Sequence, residues 1–259
     1  KPGAVKRHNT TLLSTTVSSA RPPKTYHCRR VNDRKEWRWL IITSTTSNRP
    51  VQDFLRITEL MYHPGDPNDA ELAAGFNDAD DFEYIEFYNK SLTETLDLSG
   101  VTISGGVDFN FTDAAIATLA PGGYLLVVEN IDAMTARYGA GLPIAGQFSG
   151  QLNNAGESLL VLDANSALVH EFTYDDGDDT GWHSVTDGDG PSLVIVNPLA
   201  AAATWNDGGS WRPSFAVNGS PGSADRLVGD ANSDNRVDLV DLAIVQAALG
   251  TAAGATWTT

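Results

Sequence analysis

Near the end of the chain, oxygen-bearing side chains recur at a spacing typical of a cation-binding loop. In segment 230–241 they stand at positions 1, 3, 5, 9 and 12. Calcium takes six to eight oxygen ligands at about 2.3–2.6 Å, and a tight loop directs alternate residues toward one point. We therefore predict a Ca²⁺ site whose ligands are Asp230, Asn232, Asp234, Arg236 (through its backbone carbonyl), Asp238 and Asp241.

An apolar stripe at helical spacing follows this loop and consists of Leu242, Val245, Ala248 and Leu249. Gly250 then supplies a helix stop, so we expect a short helix with one apolar face. One alternative is that Asp238 merely caps this helix while the other acids are solvated. Magnesium is a second alternative, although its strict octahedral geometry suits a crowded protein cage poorly.

Residues 229–242 resemble the first repeat of a type I dockerin module. That family carries Gly-Asp-x-Asn-x-Asp followed by x-x-Val-Asp-x-x-Asp-Leu, and 229–234 and 235–242 match the two halves. Asn235 stands where Gly is usual, and Leu239 with Val240 stands where cohesin-binding members often carry Ser-Thr. A second copy does not follow, so we expect a partial dockerin over 225–259. The resemblance implies calcium binding and docking to a cohesin-like or cell-surface protein.

Charge is distributed unevenly along the 259 residues. Residues 1–50 carry 11 Lys or Arg against 2 acids, and the remainder carries 6 against 31, a net charge of −25. An acidic surface repels phosphate backbones and anionic membranes and attracts divalent cations. We therefore expect no nucleic-acid partner for the acidic part.

The first 53 residues are rich in Ser, Thr, Pro and basic residues and lack sustained periodicity, which predicts a disordered basic leader. Its basic run could touch nucleic acid or lipid headgroups or could simply be solvated. Cys28 is the single cysteine, so an intrachain disulfide and a cysteine zinc cluster are both excluded. The longest apolar stretch near the start, residues 39–42, is far too short to span a bilayer.

From residue 54 onward, short apolar runs alternate with Gly, Pro, Asn and Asp, which is typical of an antiparallel β domain. The spacing of Ile131, Met134 and Tyr138 predicts one short helix over 130–138. The Gly- and Ser-rich stretch 213–226 predicts a closing segment of the β domain and a linker to the final module, with a boundary near Ala224. The predicted strands are 55–62, 82–88, 96–104, 107–111, 124–128, 158–163, 168–174 and 192–196.

Segment 54–224 resembles bacterial lamin-tail domains. The landmarks are Glu-Tyr-Ile-Glu-Phe-Tyr-Asn-Lys-Ser at 83–91, Leu-Asp-Leu-Ser-Gly at 96–100, Leu-Ala-Pro-Gly-Gly-Tyr at 119–124, Asn-Ala-Gly-Glu-Ser-Leu at 154–159, Ser-Trp-Arg-Pro-Ser at 210–214 and Gly-Ser-Pro-Gly at 219–222. The resemblance implies an immunoglobulin-like β-sandwich that serves as an extracellular appendage, with no catalytic residues to carry over.

A direct search for chemistry finds no Gly-x-Ser-x-Gly, His-Glu-x-x-His or Gly-Lys-Ser/Thr motif. Glu83 and Glu86 lie three apart on a strand, so they point to opposite faces and cannot act as a glycosidase pair. The acidic group 175–179 could hold a second calcium or be a solvated loop. Metal ligation is one interpretation of His63, His170 and His183, and a surface or hydrogen-bonding role is the simpler one. Sugar stacking is one interpretation of Trp182, Trp205 and Trp211, and core packing is the simpler one.

Three functions compete at this point. The first is a secreted, non-catalytic binding or tethering module, whose sandwich binds a ligand such as a carbohydrate and whose calcium loop docks to a protein. The second is an accessory region of an extracellular polysaccharide-degrading hydrolase whose catalytic domain lies elsewhere. The third, a nucleic-acid or protein binder by fold analogy, conflicts with the charge where nucleic acid is concerned. We expect an extracellular or cell-surface location and no enzyme activity in this chain.

Overall fold

The computed structural model describes residues 25–30, 37–42, 49–177, 180–232 and 236–251, with the backbone alone at 25–30, 37–42 and 249–251. The chain divides into two compact units, Lys1–Asn48 and Arg49–Thr259. In the first unit, strands β1 (Thr25–Arg30) and β2 (Trp37–Ile42) pair antiparallel. This hairpin differs from the predicted disordered leader, because aromatic and aliphatic residues in β2 favour a strand over too short a run to show periodicity. The rest of the leader before residue 49 lies outside the described residues.

The second unit is mainly β, as predicted. Its larger sheet contains β3 (Leu55–Met61), β4 (Tyr84–Asn89), β9 (Tyr124–Val128), β10 (Ile144–Gln147), β14 (Pro191–Ile195) and β15 (Trp211–Val217). Its smaller sheet contains β6 (Thr102–Ser104), β7 (Val107–Asn110), β11 (Ser149–Gly150), β12 (Ser158–Leu162) and β13 (Leu168–Thr173). A two-stranded ladder pairs β5 (Leu96–Asp97) with β8 (Thr118–Leu119). The strand orders are β10-β9-β4-β3-β14-β15 and β11-β7-β6-β12-β13.

Both sheets contribute to one continuous apolar core, so they pack face to face as a sandwich. Phe87 of β4 contacts Phe111, just after β7, with ring centroids 5.8 Å apart. Phe172 of β13 stacks on Trp211 of β15 at 5.2 Å. Trp182, Trp205 and Trp211 are only 6%, 0% and 1% exposed. Their core-packing role is confirmed, and the alternative of a sugar-stacking platform is wrong for these rings.

Within the part of the chain that the structure describes, four α-helices accompany the sheets: α1 (Pro50–Phe54), α2 (Asp69–Ala74), α3 (Ile131–Tyr138) and α4 (Leu239–Thr251). The predicted helix over 130–138 is confirmed as α3, and its Met134 packs on Met61, Tyr84 and Leu126 on the outer face of the larger sheet. None of the described helices is long and apolar enough to cross a bilayer.

One irregularity in β3 decides what lies on that outer face. Ile57 pairs with Phe87, yet Glu59 pairs with Glu86, so Thr58 is an extra residue in a β-bulge. The bulge brings Thr58 and Glu59 to the same side, where the Thr58 hydroxyl donates to Glu86 Oε1 at 2.7 Å. Two glutamates therefore lie opposite each other on the outer face, although both are only 1% exposed.

The segment 213–226 packs on the sandwich, which agrees with the predicted closing segment more than with the predicted linker. Trp211–Val217 forms the edge strand β15. Pro213, which lacks a backbone N–H, is tolerated there because no further strand pairs with the outer edge of β15. Beyond it, Asp225 lies against the sheet with a 2% exposed side chain and pairs with Arg212 at 2.5 Å. The α1 helix at 50–54 likewise belongs to the second unit, since Val51 is 8% exposed in its core. The sandwich thus extends beyond both predicted bounds.

Candidate functional site

The predicted calcium loop begins at a turn and ends in α4. Asp230 N donates to Leu227 O at 3.0 Å. Gly229, at a φ of +98°, lies so close to the other end of the loop that a Cβ there would sit 3.2 Å from Val237 Cγ1. The residues just before position 1 of the loop and those near position 8 are therefore brought together. Asp234, the ligand predicted at position 5, lies outside the described residues.

Asp241 holds the two ends of the loop. Its side chain is 2% exposed. Oδ1 accepts N–H hydrogen bonds from Ala231 at 2.8 Å and Asn232 at 3.2 Å, and Oδ2 accepts one from Asp238 at 2.8 Å. These donors, Asp238 first, hold the pKa of Asp241 below its usual range. The carboxylate predicted to complete a metal shell thus lies at the centre of the loop.

Asp238 has the role that the capping alternative assigned to it, since its Oδ1 accepts from Val240 N at 2.7 Å in the first turn of α4. Asp230, Asn232 and Arg236 also make interactions of their own. Among the described residues, no group of three or more His, Cys, Asp or Glu is arranged to hold a metal ion. The donors fit calcium in chemical type, because they are hard oxygens, but the described carboxylates alone do not form a cage.

The helix that follows exposes most of its large apolar side chains. Leu239 is 80% exposed, Val240 53%, Leu242 49% and Ile244 41%. Of the predicted stripe, Val245 is half-buried, Ala248 is exposed, and the side chain of Leu249 lies outside the description. The apolar surface of α4 is therefore wider than the predicted stripe and lies largely in solvent.

The acidic group 175–179 is described only in part, because Asp178 and Asp179 lie outside the described residues. Asp175 Oδ1 accepts hydrogen bonds from the Thr180 hydroxyl at 2.7 Å and from Gly177 N at 2.9 Å. These contacts, the hydroxyl first, lower the pKa of Asp175. The described part is a hydrogen-bonded turn.

The three histidines considered as ligands each have a protein partner. His63 Nδ1 lies 2.5 Å from Asp187 Oδ1. His170 Nε2 donates to Leu55 O at 2.8 Å, and burial lowers its pKa to about 3, so this ring is neutral. His183 Nε2 donates to Trp211 O at 2.8 Å. These bonds join neighbouring parts of the sandwich.

Sequence reasoning missed the paired glutamates beneath residues 218–225. Glu59 accepts four hydrogen bonds, from the Tyr84, Ser192 and Ser220 hydroxyls and from Ser220 N, at 2.5–2.8 Å. Glu86 accepts from Thr58 and from Gly222 N, the latter at 2.8 Å. Burial raises the pKa of both, and the charge of Glu59 raises that of Glu86 further. A cavity of about 200 Å³ beside them is also lined by Tyr124, Arg212 and Asp230.

The predicted opposition of Glu83 and Glu86 is confirmed by their partners. Glu86 faces outward beneath residues 218–225, whereas Glu83 Oε2 accepts from Leu152 N at 2.9 Å and its side chain is fully buried. Burial raises the pKa of Glu83 to about 9. The partner that Glu86 does face is Glu59, 27 residues upstream in sequence, which only the register and the bulge of β3 could reveal.

The landmark of residues 83–91 thus covers β4, and the landmark of residues 119–124 covers the turn that leads into β9, the antiparallel neighbour of β4 in the larger sheet. Residues 49–176 match the family model described as Lamin Tail Domain. The lamin tail domain is a non-catalytic, immunoglobulin-like domain, which indicates a binding module and supplies no catalytic residues. The match ends before β14 and β15, although these strands complete the larger sheet. The comparison with curated proteins found no match, and neither did the comparison with solved structures.

Proposed function

We propose that the chain is a secreted, non-catalytic binding or tethering module in which a lamin-tail-type sandwich carries a calcium-dependent docking helix. The observation that carries this proposal is the position of Asp241, whose buried carboxylate draws both ends of the loop around itself. The dockerin-like spacing of the other oxygen donors supports calcium as the ligand.

Asp230, Asn232, Asp234, Asp238 and Asp241 would supply side-chain oxygens, and Arg236 its backbone carbonyl. A divalent cation would offset two of the four negative charges of these carboxylates and so reduce their mutual repulsion. Because Asp241 lies within the first turn of α4, a bound cation would also fix the start of that helix.

The exposed side of α4 supports the docking part of the proposal. Large apolar residues on a helix normally face a core, yet Leu239, Val240 and Leu242 are about half exposed or more. We propose a protein partner of the cohesin type or on a cell surface. Carbohydrate recognition by the three tryptophans is not proposed, since they are buried.

Calorimetric titration of Ca²⁺ into the full chain tests the metal site. We expect the wild type to bind with a measurable heat and the Asp230→Ala, Asp234→Ala variant to lose it. An Asp66→Ala, Asp108→Ala variant removes the same charge from exposed positions elsewhere and should bind like the wild type. Equal heats from all three proteins would refute a calcium site in this loop.

Docking is tested by surface plasmon resonance against an immobilised cohesin module, with and without a chelator. We expect binding only with calcium, and weaker binding for Leu242→Ser, which removes apolar area without touching a predicted ligand. Calcium-independent binding would separate the docking role from the metal site. Failure to bind a panel of cohesins would leave the cell-surface partner as the class to test.

A further inference from the structure

A short segment closes over the outer face of the larger sheet between β15 and the calcium loop. We name residues 218–225 the strap. At its start, the Tyr138 hydroxyl of α3 donates to Asn218 O at 2.8 Å. At its end, Asp225 pairs with Arg212 of β15 and accepts the outward-facing N–H of Phe215 at 3.0 Å. The strap is therefore fastened to the sandwich at both ends.

Its middle rests directly on the paired glutamates. Ser220 donates its N–H to Glu59 Oε1 and its hydroxyl to Oε2, both at 2.8 Å, and Gly222 donates its N–H to Glu86 Oε2 at 2.8 Å. At Gly219, whose φ is +77°, a Cβ would lie only 2.1 Å from Glu59 Oε1. The first glycine of the Gly-Ser-Pro-Gly landmark thus has a physical reason, because only a residue without a side chain at position 219 can approach Glu59 so closely.

The two glutamates differ in how well they can carry a charge. Four donors surround Glu59, which matches the acceptor capacity of an ionised carboxylate. Glu86 lies directly opposite it in the antiparallel register, where a second negative charge would be destabilising. The pKa of Glu86 is accordingly well above its usual range through burial and the charge of Glu59. The pair therefore favours a single negative charge, for which Glu59 has the larger number of donors, over two.

The surrounding charged and titratable groups do not replace that proton. The Nη atoms of Arg212 of β15 donate hydrogen bonds to Asp225 and to Pro213 O. Tyr84 of β4, Tyr124 of β9 and Tyr138 of α3 face the pair with phenol groups whose pKa values burial raises, so they stay neutral. Arg226, just beyond the strap, and Asp230 of the loop complete the wall of the adjacent cavity.

We propose that the strap is a proton-dependent latch, closed over the sheet while Glu86 is protonated and progressively released as Glu86 ionises. Release would loosen the connection between the sandwich and the loop–helix that follows the strap. The sign follows from linkage. A group whose pKa is higher in the closed state stabilises that state at low pH, and the stabilisation is lost as pH rises from the open-state pKa, near 4.5, toward the closed-state pKa.

Amide hydrogen exchange of the full chain at a series of pH values between about 5 and 9 tests the latch. After correction for the intrinsic exchange rate, the opening constant reported by the amides of Ser220 and Gly222 should rise by about tenfold per pH unit in the wild type, since one proton is released on opening. In Glu86→Gln, which stays neutral, the rise should disappear. Glu83→Gln is the matched control, because it makes the same substitution at another buried glutamate away from the strap, and the amides of Ser220 and Gly222 should then behave as in the wild type.

Equal pH dependence in the wild type and Glu86→Gln would overturn the latch. Should Glu86→Gln fail to fold, a carbon-13 titration of the side-chain carboxyl groups in the wild type decides instead. A Glu86 carboxyl that remains protonated through neutral pH supports the proposal. A Glu86 carboxyl that ionises in the ordinary range near 4.5 overturns it.

Discussion

The sandwich buries its large apolar residues, whereas the C-terminal helix α4 exposes most of its own. In the sandwich, Phe87, Trp205 and Trp211 are at most 1% exposed. In α4, Leu239 is 80% exposed and Leu242 is 49% exposed. Burial stabilises by about 25 cal/mol per Å² of apolar surface removed from water. The sandwich therefore has its own source of stability, whereas the helix obtains little from this source.

The described interactions at the start of α4 are instead hydrogen bonds between polar groups that are close in sequence. An isolated helix of 13 residues is marginal in water, and this helix begins at the Asp238 cap and at the Asp241 carboxylate. The difference teaches that the two parts should respond to different perturbations. Apolar truncation should affect the sandwich, and changes of charge or cation should affect the loop–helix.

The largest effect is expected for Trp211→Ala in the sandwich. Trp211 stacks on Phe172 at 5.2 Å, and its Nε1 donates to Trp205 O at 2.9 Å. Truncating a buried Trp should lower the free energy of unfolding by about 3–5 kcal/mol, measured by urea denaturation. Leu92→Ala is the control, because Leu92 is 93% exposed and its truncation should change almost nothing. Equal losses for the two variants would contradict the contrast between core and surface.

The sandwich strands could be predicted well because alternation and turn residues are local signals. The bounds 124–128 coincide with β9. The predicted strand 96–104 divides into β5 and β6 because Gly100 turns the chain at a φ of +79°. Helix α2 was missed, although Asn68 and Glu71 form a capping box and Gly75 ends the helix in the left-handed conformation. That combination was a usable signal.

Long-range pairing limits what the sequence can reveal about sites. The spacing of residues 230–241 predicts the loop. The structure adds that the Asp241 carboxylate accepts hydrogen bonds from three backbone N–H groups of that loop. The Glu59–Glu86 pair depends on a one-residue bulge at Thr58, and a register shift of one residue changes the face of every side chain. No local sequence pattern around either glutamate predicts that it contacts the other.

For a change of one pH unit, a smaller effect on the stability of the sandwich is expected from the ionisation of Glu83. Burial raises its pKa to about 9, so folding takes up a proton above the ordinary pKa of 4.5. The contribution to stability is fully present below about 4.5 and is lost as pH rises toward about 9, by about 1.4 kcal/mol per pH unit. Urea denaturation at several pH values should show a shallower fall for Glu83→Gln than for the wild type. A fall of the same steepness in both would mean that Glu83 is ionised in the fold.

The smallest effect on stability is expected for Leu239→Ser on α4, the counterpart of Trp211→Ala. Because Leu239 is 80% exposed, the free energy of unfolding should change by less than about 0.5 kcal/mol. The calcium heat should also persist, since the side chain at position 10 is not a predicted ligand, while affinity for a docking partner should fall. A loss of stability comparable to that of Trp211→Ala would show that α4 packs on the sandwich in solution. The two parts would then share one core, and the docking role of the helix would lose its basis.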